Sequence, residues 1–196
     1  LEYFYKRGIF VTKRTGEFGA KKKYALINLD GKIKIRGFET VRRDWCKLAR
    51  QLQNNVLKMV LTEGTSQNAL EYTTEIIKKI RERKIDKKDL IIKTQLKKPI
   101  EEYKAQTPHV IIAKKMHELG IPVGMGTLIE YYIANSKDDK KKKLVRDKAK
   151  LPDEQGDYDI NYYINNQIIP AVENIFQVFQ VNLKELSDDK QQKKLF

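Results

Sequence analysis

Apolar residues recur along this chain with two different periods, and the change falls near residue 40. Tyr3, Tyr5 and Ile9-Phe10-Val11 read as a strand, Thr15-Gly16-Glu17-Phe18-Gly19 as a glycine-rich turn, and Tyr24-Ala25-Leu26-Ile27 as the returning strand. Asn28-Leu29-Asp30-Gly31 turns the chain again into Ile33 and Ile35, which completes a small antiparallel meander. So short a meander needs more sheet or a helix against it. The expected cover is the rest of a larger domain, on another polypeptide or on a removed N-terminal part.

From Val41 the spacing becomes helical: Trp45, Leu48, Ala49, Leu52, Val56, Leu57 and Val60 fall on one side, and Gly64 marks the stop. A second helix follows, with Ser66 as its cap and Leu70, Ile76, Ile77 and Ile80 as its stripe, and the two form an antiparallel pair. Leu90-Ile91-Ile92 reads as a short strand. Thr107 caps a third helix with Pro108 in its first turn, and Val110, Ala113, Met116 and His117 face inward until Gly120 ends it. Gly124-Met125-Gly126 leads into a strand from Leu128 to Ile133. The lysine-heavy stretch from Asn135 to Lys150 reads as a mobile hairpin or loop. Asp159 caps a helix from Ile160 that Pro170 kinks or restarts, ending near Phe179. The fold class that follows is α+β, a small antiparallel meander and then a mainly helical part with a short inserted β element.

Composition narrows the partners. The 196 residues are 40% hydrophobic, enough for a real core in one domain with a smaller appended piece. Forty Lys and Arg against 26 Asp and Glu give a formal net charge of +14, a field that concentrates phosphate backbones. No apolar run approaches a membrane span, and no basic helix carries a bulky apolar face, so nucleic acid is the expected partner and a membrane is not. Cys46 is the single cysteine, which excludes an internal disulfide. With no apolar targeting segment before the first strand, the cytoplasm is the expected compartment.

Two basic blocks carry the candidate chemistry. Lys21-Lys22-Lys23-Tyr24-Ala25 lies on a strand, and Arg36-Gly37-Phe38-Glu39-Thr40-Val41-Arg42-Arg43-Asp44-Trp45 opens the first helix. Strand alternation lets one lysine and Tyr24 share a surface with a duplex, although lysines also protect an edge strand from aggregation. Arg36, Arg42 and Arg43 stand where a helix N-terminus offers free amides to a phosphate, unless one of them pairs with Glu39 or Asp44. Thr107, His109, Lys104 and Lys114 repeat this arrangement at the third helix. His109 and His117 lie about two turns apart along that helix, too far for a metal pair. Asp157-Tyr158-Asp159 has the carboxylate spacing of a two-metal site, but aspartate before an amphipathic helix is the ordinary cap.

These blocks, in order, resemble a known family. KKKYA, a turn, a strand and RGFETVRRDW are similar to the end of the palm and the start of the thumb in archaeal B-family DNA polymerases. Tyr103-Lys104-Ala105-Gln106-Thr107-Pro108-His109-Val110 resembles that family's YKATGPHV, with Gln106 where threonine is usual and Thr107 where glycine is usual. Tyr162-Tyr163-Ile164-Asn165-Asn166-Gln167-Ile168-Ile169-Pro170-Ala171-Val172 resembles its YYIENQVLPAV helix. Arg14 to Ala20 departs from the family as a longer connection.

The resemblance implies a division into a C-terminal piece of the palm at 1–36, a thumb at 37–181 with a sub-region at about 90–150, and a polar tail at 182–196. It implies a subunit or fragment of a DNA-directed DNA polymerase that clasps primer-template DNA through Lys22, Lys23, Tyr24, Arg36, Arg42, Arg43, Lys104, Thr107, His109 and Lys114. No catalytic carboxylates are expected here, since the family's lie upstream. The two Mg2+ ions would sit on a large subunit carrying exonuclease, palm and fingers, in a heterodimer associated with the nucleoid, and this chain alone would bind none. Glu2 corresponds to an acidic position near the family's active site and would assist an auxiliary metal. Gln192, Leu195 and Phe196 resemble part of a sliding-clamp-binding peptide, with a polar disordered terminus as the alternative. The other reading of the whole chain is a stand-alone basic module that binds RNA or DNA.

Overall fold

The computed structural model describes residues 4–12, 19–39, 44–135, 144–183 and 186, with only the backbone described at 12 and 19–22. Strands β1 (Tyr5–Thr12), β2 (Gly19–Asn28) and β3 (Ile33–Arg36) form one antiparallel sheet in the order β1-β2-β3. Alternation settles its faces. Ile9, Val11, Ala25 and Ile27 are buried on one side, while Phe10 and Tyr24 pair across the strands on the other. The buried side packs on helices α1 (Lys47–Glu63) and α5 (Ile169–Val178) of this same chain. The expectation that another polypeptide covers the meander is therefore corrected for this face: the apolar stripes of α1 and α5 supply the cover. The opposite face leaves Phe10 largely exposed.

Arg7 joins sheet and helix. Its guanidinium donates to the carbonyls of Leu61 and Thr62, two of the last carbonyls of α1, which have no partner within the helix. Gly64 ends that helix at φ +80, and a Cβ there would meet the Arg7 Cζ at 2.9 Å. A side chain at 64 thus conflicts with both the backbone conformation and the arginine.

Helix α1 begins at Lys47 rather than at Val41. Asp44 to Cys46 are not helical, and Cys46 is extended at ψ 157, its N–H donating to the Gln167 Oε1 at 2.9 Å. Residues 41–43 lie outside the described residues. Helix α2 (Gln67–Arg81) follows as expected and packs on α1, but the Ser66 side chain makes no cap bond. Burial pushes the Cys46 thiol up to about 11. Its neutral form is therefore favoured by folding, and that contribution is full below the unfolded thiol value, near 8.5, and lost as pH rises through about 11. Between pH 8 and 10 the unfolding free energy of the wild type is expected to fall more steeply than that of Cys46→Ala, by up to about 1.4 kcal/mol per pH unit. Parallel slopes in urea unfolding would contradict it.

The second sheet holds β4 (Ile92–Gln95), β5 (Leu128–Ile133) and β6 (Ala149–Lys150) in that order, all antiparallel. The expected strand at 90–92 is displaced. Asp86 accepts from the Lys88 N–H and starts a single 3-10 turn over Lys87–Leu90, so Leu90 enters the core before the strand begins. Within the lysine-heavy stretch, 136–143 lies outside the described residues. Its far end is regular: Val145–Lys148 form a turn against helix α3 (Pro108–Glu118), and Lys150 pairs with Tyr132. In α3, Val110, Ile112 and Ala113 are buried, Met116 is half-buried and His117 is exposed, so the inward stripe is narrower than expected.

Helix α4 (Ile160–Tyr163) opens on Asp159, whose carboxylate accepts from the Tyr162 N–H at 2.9 Å. A π turn over Ile164–Ile168 then joins α4 to α5. Pro170 explains it. Lacking an N–H, with a ring that crowds the carbonyl four residues back, it forces one residue of slack, and the Ile169 N–H reaches Ile164 instead. Buried residues from both sheets and the helices between them form one continuous apolar cluster, from Ile9 to Leu183.

Candidate nucleic-acid interface

Two cationic surfaces emerge, one on the first sheet and one around the start of α3. On the first, the register pairs Tyr24 with Arg36, and side chains directly opposite each other share a face. Phe10 stacks on Tyr24 with ring centroids 6.2 Å apart. The outward face therefore presents two aromatic rings with an exposed arginine beside them. Lys22 lies on β2, but its side chain is outside the described residues.

Lys23 differs from Tyr24. It shares the parity of Ala25 and Ile27 and turns toward the helices, where its ammonium pairs with Glu39. Glu39 is 6% exposed and also accepts from the Gln53 Nε2 at 2.8 Å. Burial works to raise the Glu39 carboxyl, but the hydrogen bonds from Lys23 and Gln53 outweigh it and hold the group below its ordinary value. The same Gln53 Nε2 donates to the Ala171 carbonyl on α5. Glu39, one of the two partners expected for an arginine, thus pairs with a lysine. The separation of 16 residues between Lys23 and Glu39, spanning β3, hides it from any local pattern.

The second surface surrounds the start of α3. Thr107 is the helix cap by its backbone, accepting from Val110 at 3.0 Å and Ile111 at 3.1 Å. Its hydroxyl makes no cap bond and instead meets the His109 Nδ1 at 3.1 Å. The His109 ring stands edge-on to Tyr103, with centroids 5.7 Å apart, and burial pushes its pKa down. At neutral pH it is a neutral ring and not a cation. The exposed Lys114 donates to the Gln106 Oε1 at 3.1 Å, and Lys104 is exposed beside them.

Two further cations join this surface without having been expected. The Lys98 ammonium sits 5.0 Å above the Tyr103 ring, and the Lys97 N–H donates to the Tyr103 hydroxyl at 2.9 Å. The signal for them was present in Lys97-Lys98-Pro99, since a proline after two lysines starts the turn at Ile100–Glu102 that folds them back over Tyr103. Arg42, Arg43, Glu2, Gln192, Leu195 and Phe196 lie outside the described residues.

A polymerase active site would need a cluster of carboxylates. Among the described residues, no group of three or more His, Cys, Asp or Glu side chains could hold a metal ion, so this donor set does not fit a Mg2+ site. Asp159 is committed to its helix cap and to Lys148, 2.9 Å away. Among the described residues, no helix is long and apolar enough to cross a membrane.

Known proteins resemble this chain in sequence and in structure. The DNA polymerase of Methanocaldococcus jannaschii is 43% identical over 191 residues, an alignment that covers 96% of this chain and 11% of that protein. The DNA polymerase of Thermococcus kodakarensis is 37% identical over 193 residues, covering 95% of this chain and 11% of that protein. The chain thus spans about a tenth of the length of these relatives. In three dimensions it is similar to the family B DNA polymerase of Pyrobaculum calidifontis, with a TM-score of 0.72 and 34% identity over 91% of this chain and 22% of that one. The family model for DNA polymerase family B matches residues 18–179. This chain belongs to DNA polymerase family B.

Proposed function

We propose that the chain is the end of the palm and the thumb of a family B DNA polymerase, and that it grips the primer-template duplex by its backbone. The observation that carries this reading is the pairing of Tyr24 with Arg36 on the outward face of the first sheet, within the stretch that matches the family. Backbone contacts of this kind fix register on a duplex without reading its sequence. Lys23, on the helix-facing side of the same sheet with its side chain 26% exposed, is read as a further backbone contact, and Lys97, Lys98, Lys104 and Lys114 give the thumb a second row of cations. Lys22, Arg42 and Arg43, whose side chains lie outside the described residues, are proposed as further contacts on the family resemblance alone.

In this reading residues 1–36 belong to the palm, 37–181 to the thumb and 182–196 to a tail. Nucleotide transfer belongs to the complete enzyme, whose Mg2+-binding aspartates, fingers and proofreading domain lie on a large subunit or on the rest of a longer chain. A contact of the tail with a sliding clamp is part of the same proposal. The stand-alone binding module is the lesser reading, because it does not account for a family match over 162 consecutive residues, 18 to 179.

Purified alone with Mg2+ and deoxynucleoside triphosphates, the chain is expected to bind duplex DNA and incorporate nothing. Incorporation should begin when a polypeptide with the aspartates is added. Synthesis by the chain alone, or a duplex affinity unchanged after Arg36, Lys104 and Lys114 are all replaced by Ala, would overturn the proposal.

A further inference from the structure

Two carboxylates are buried among the described residues, Asp159 and Glu39, and they are used differently. Asp159 caps its own helix. Glu39 receives side chains from two separate elements, Lys23 from β2 and Gln53 from α1. Burying a charge costs more than burying an apolar side chain of the same size, so an ion pair of this kind is poor evidence for stability. Its use is then sought in what it holds in place.

We propose that Glu39 is a positioning residue for Lys23: the buried carboxylate, itself held by Gln53, fixes the point at which the lysine ammonium is offered to the DNA backbone. The inference rests on the reading of Lys23 as a duplex contact given above. The Lys23 side chain is 26% exposed, so it is tethered and still reachable. An ammonium carries three N–H donors, and the bond to Glu39 leaves two for a phosphate oxygen. A free lysine loses rotamer freedom when it docks, whereas one already held in the folded state has lost it beforehand. Because the Gln53 Nε2 also bonds the Ala171 carbonyl, the tether ends on α5. The placement of this cation therefore follows the packing of α1 and α5 against each other.

The test compares four proteins on one short duplex: the wild type, Lys23→Ala, Glu39→Gln and the double variant. Lys23→Ala is expected to weaken binding and to lower the salt slope by about one. Glu39→Gln should weaken binding about three- to tenfold, the freedom a released lysine regains, with the slope unchanged because the cation is still present. The double variant should bind no more weakly than Lys23→Ala alone. A loss from Glu39→Gln that persists in the Lys23→Ala background, or no loss at all, overturns the role of Glu39. If Lys23→Ala itself has no effect, the reading of Lys23 as a duplex contact fails first and takes this inference with it. Should Glu39→Gln not fold, amine acylation of the wild type decides: Lys23 is expected to react several-fold more slowly than the exposed Lys34 on β3, and equal rates overturn the tether.

Discussion

Raising the salt from 50 to 200 mM is expected to weaken duplex binding by this chain about a thousandfold, the loss that accompanies about six phosphate contacts. The formal charge of +14 makes counterion release the dominant source of affinity. Charge alone, however, does not fix the number of contacts. That number comes from where the cations stand: Arg36 on the outward face of the first sheet, and Lys97, Lys98, Lys104 and Lys114 around Tyr103 and the start of α3. Replacing Lys104 or Lys114 with Ala should reduce the slope of log affinity against log salt by about one each, with little dependence on DNA sequence. His109→Ala should leave the slope unchanged, because burial keeps that ring neutral. A slope corresponding to fewer than about two contacts would mean that these cations do not meet a backbone.

The largest loss of stability is expected from Phe176→Ala, at about 3–5 kcal/mol. Phe176 is fully buried on α5, the helix that packs against both α1 and β1. Truncation leaves a cavity where sheet and helices meet, and it removes a sizeable part of the about 5–15 kcal/mol that a domain has in total. Since the apolar cluster runs unbroken from Ile9 to Leu183, the signals from both sheets should be lost in a single urea transition, at a lower midpoint. Met125→Ala, at a site 73% exposed, should move the midpoint hardly at all. Separate transitions for the two sheets in the wild type would contradict the shared core.

The helices were legible because an apolar stripe survives whatever packs on it. Leu48, Leu52, Val56 and Val60 point one way on any α1, and all are buried. The start of that helix was not legible. It depends on the Cys46 N–H finding an acceptor on Gln167, 121 residues later, at a π turn that Pro170 creates. A kink at Pro170 could be anticipated from chemistry; that it would aim an amide at Cys46 could not. The cationic blocks were visible as composition and motif, and the parity of Ala25 and Ile27 already implied that Lys23 and Tyr24 face opposite ways. The partner of Lys23 remained hidden because Glu39 reads as a surface residue until Phe38, 2% exposed, draws its segment into the core.

The bond from Arg7 to the end of α1 bears on how family B chains can be recombined. A boundary drawn between residues 36 and 37 would leave the helical half with two bare carbonyls, at Leu61 and Thr62, and an uncovered apolar flank. Chimeras that exchange this half between homologous polymerases should therefore carry the three-stranded meander with it as cargo, and those that leave it behind should precipitate.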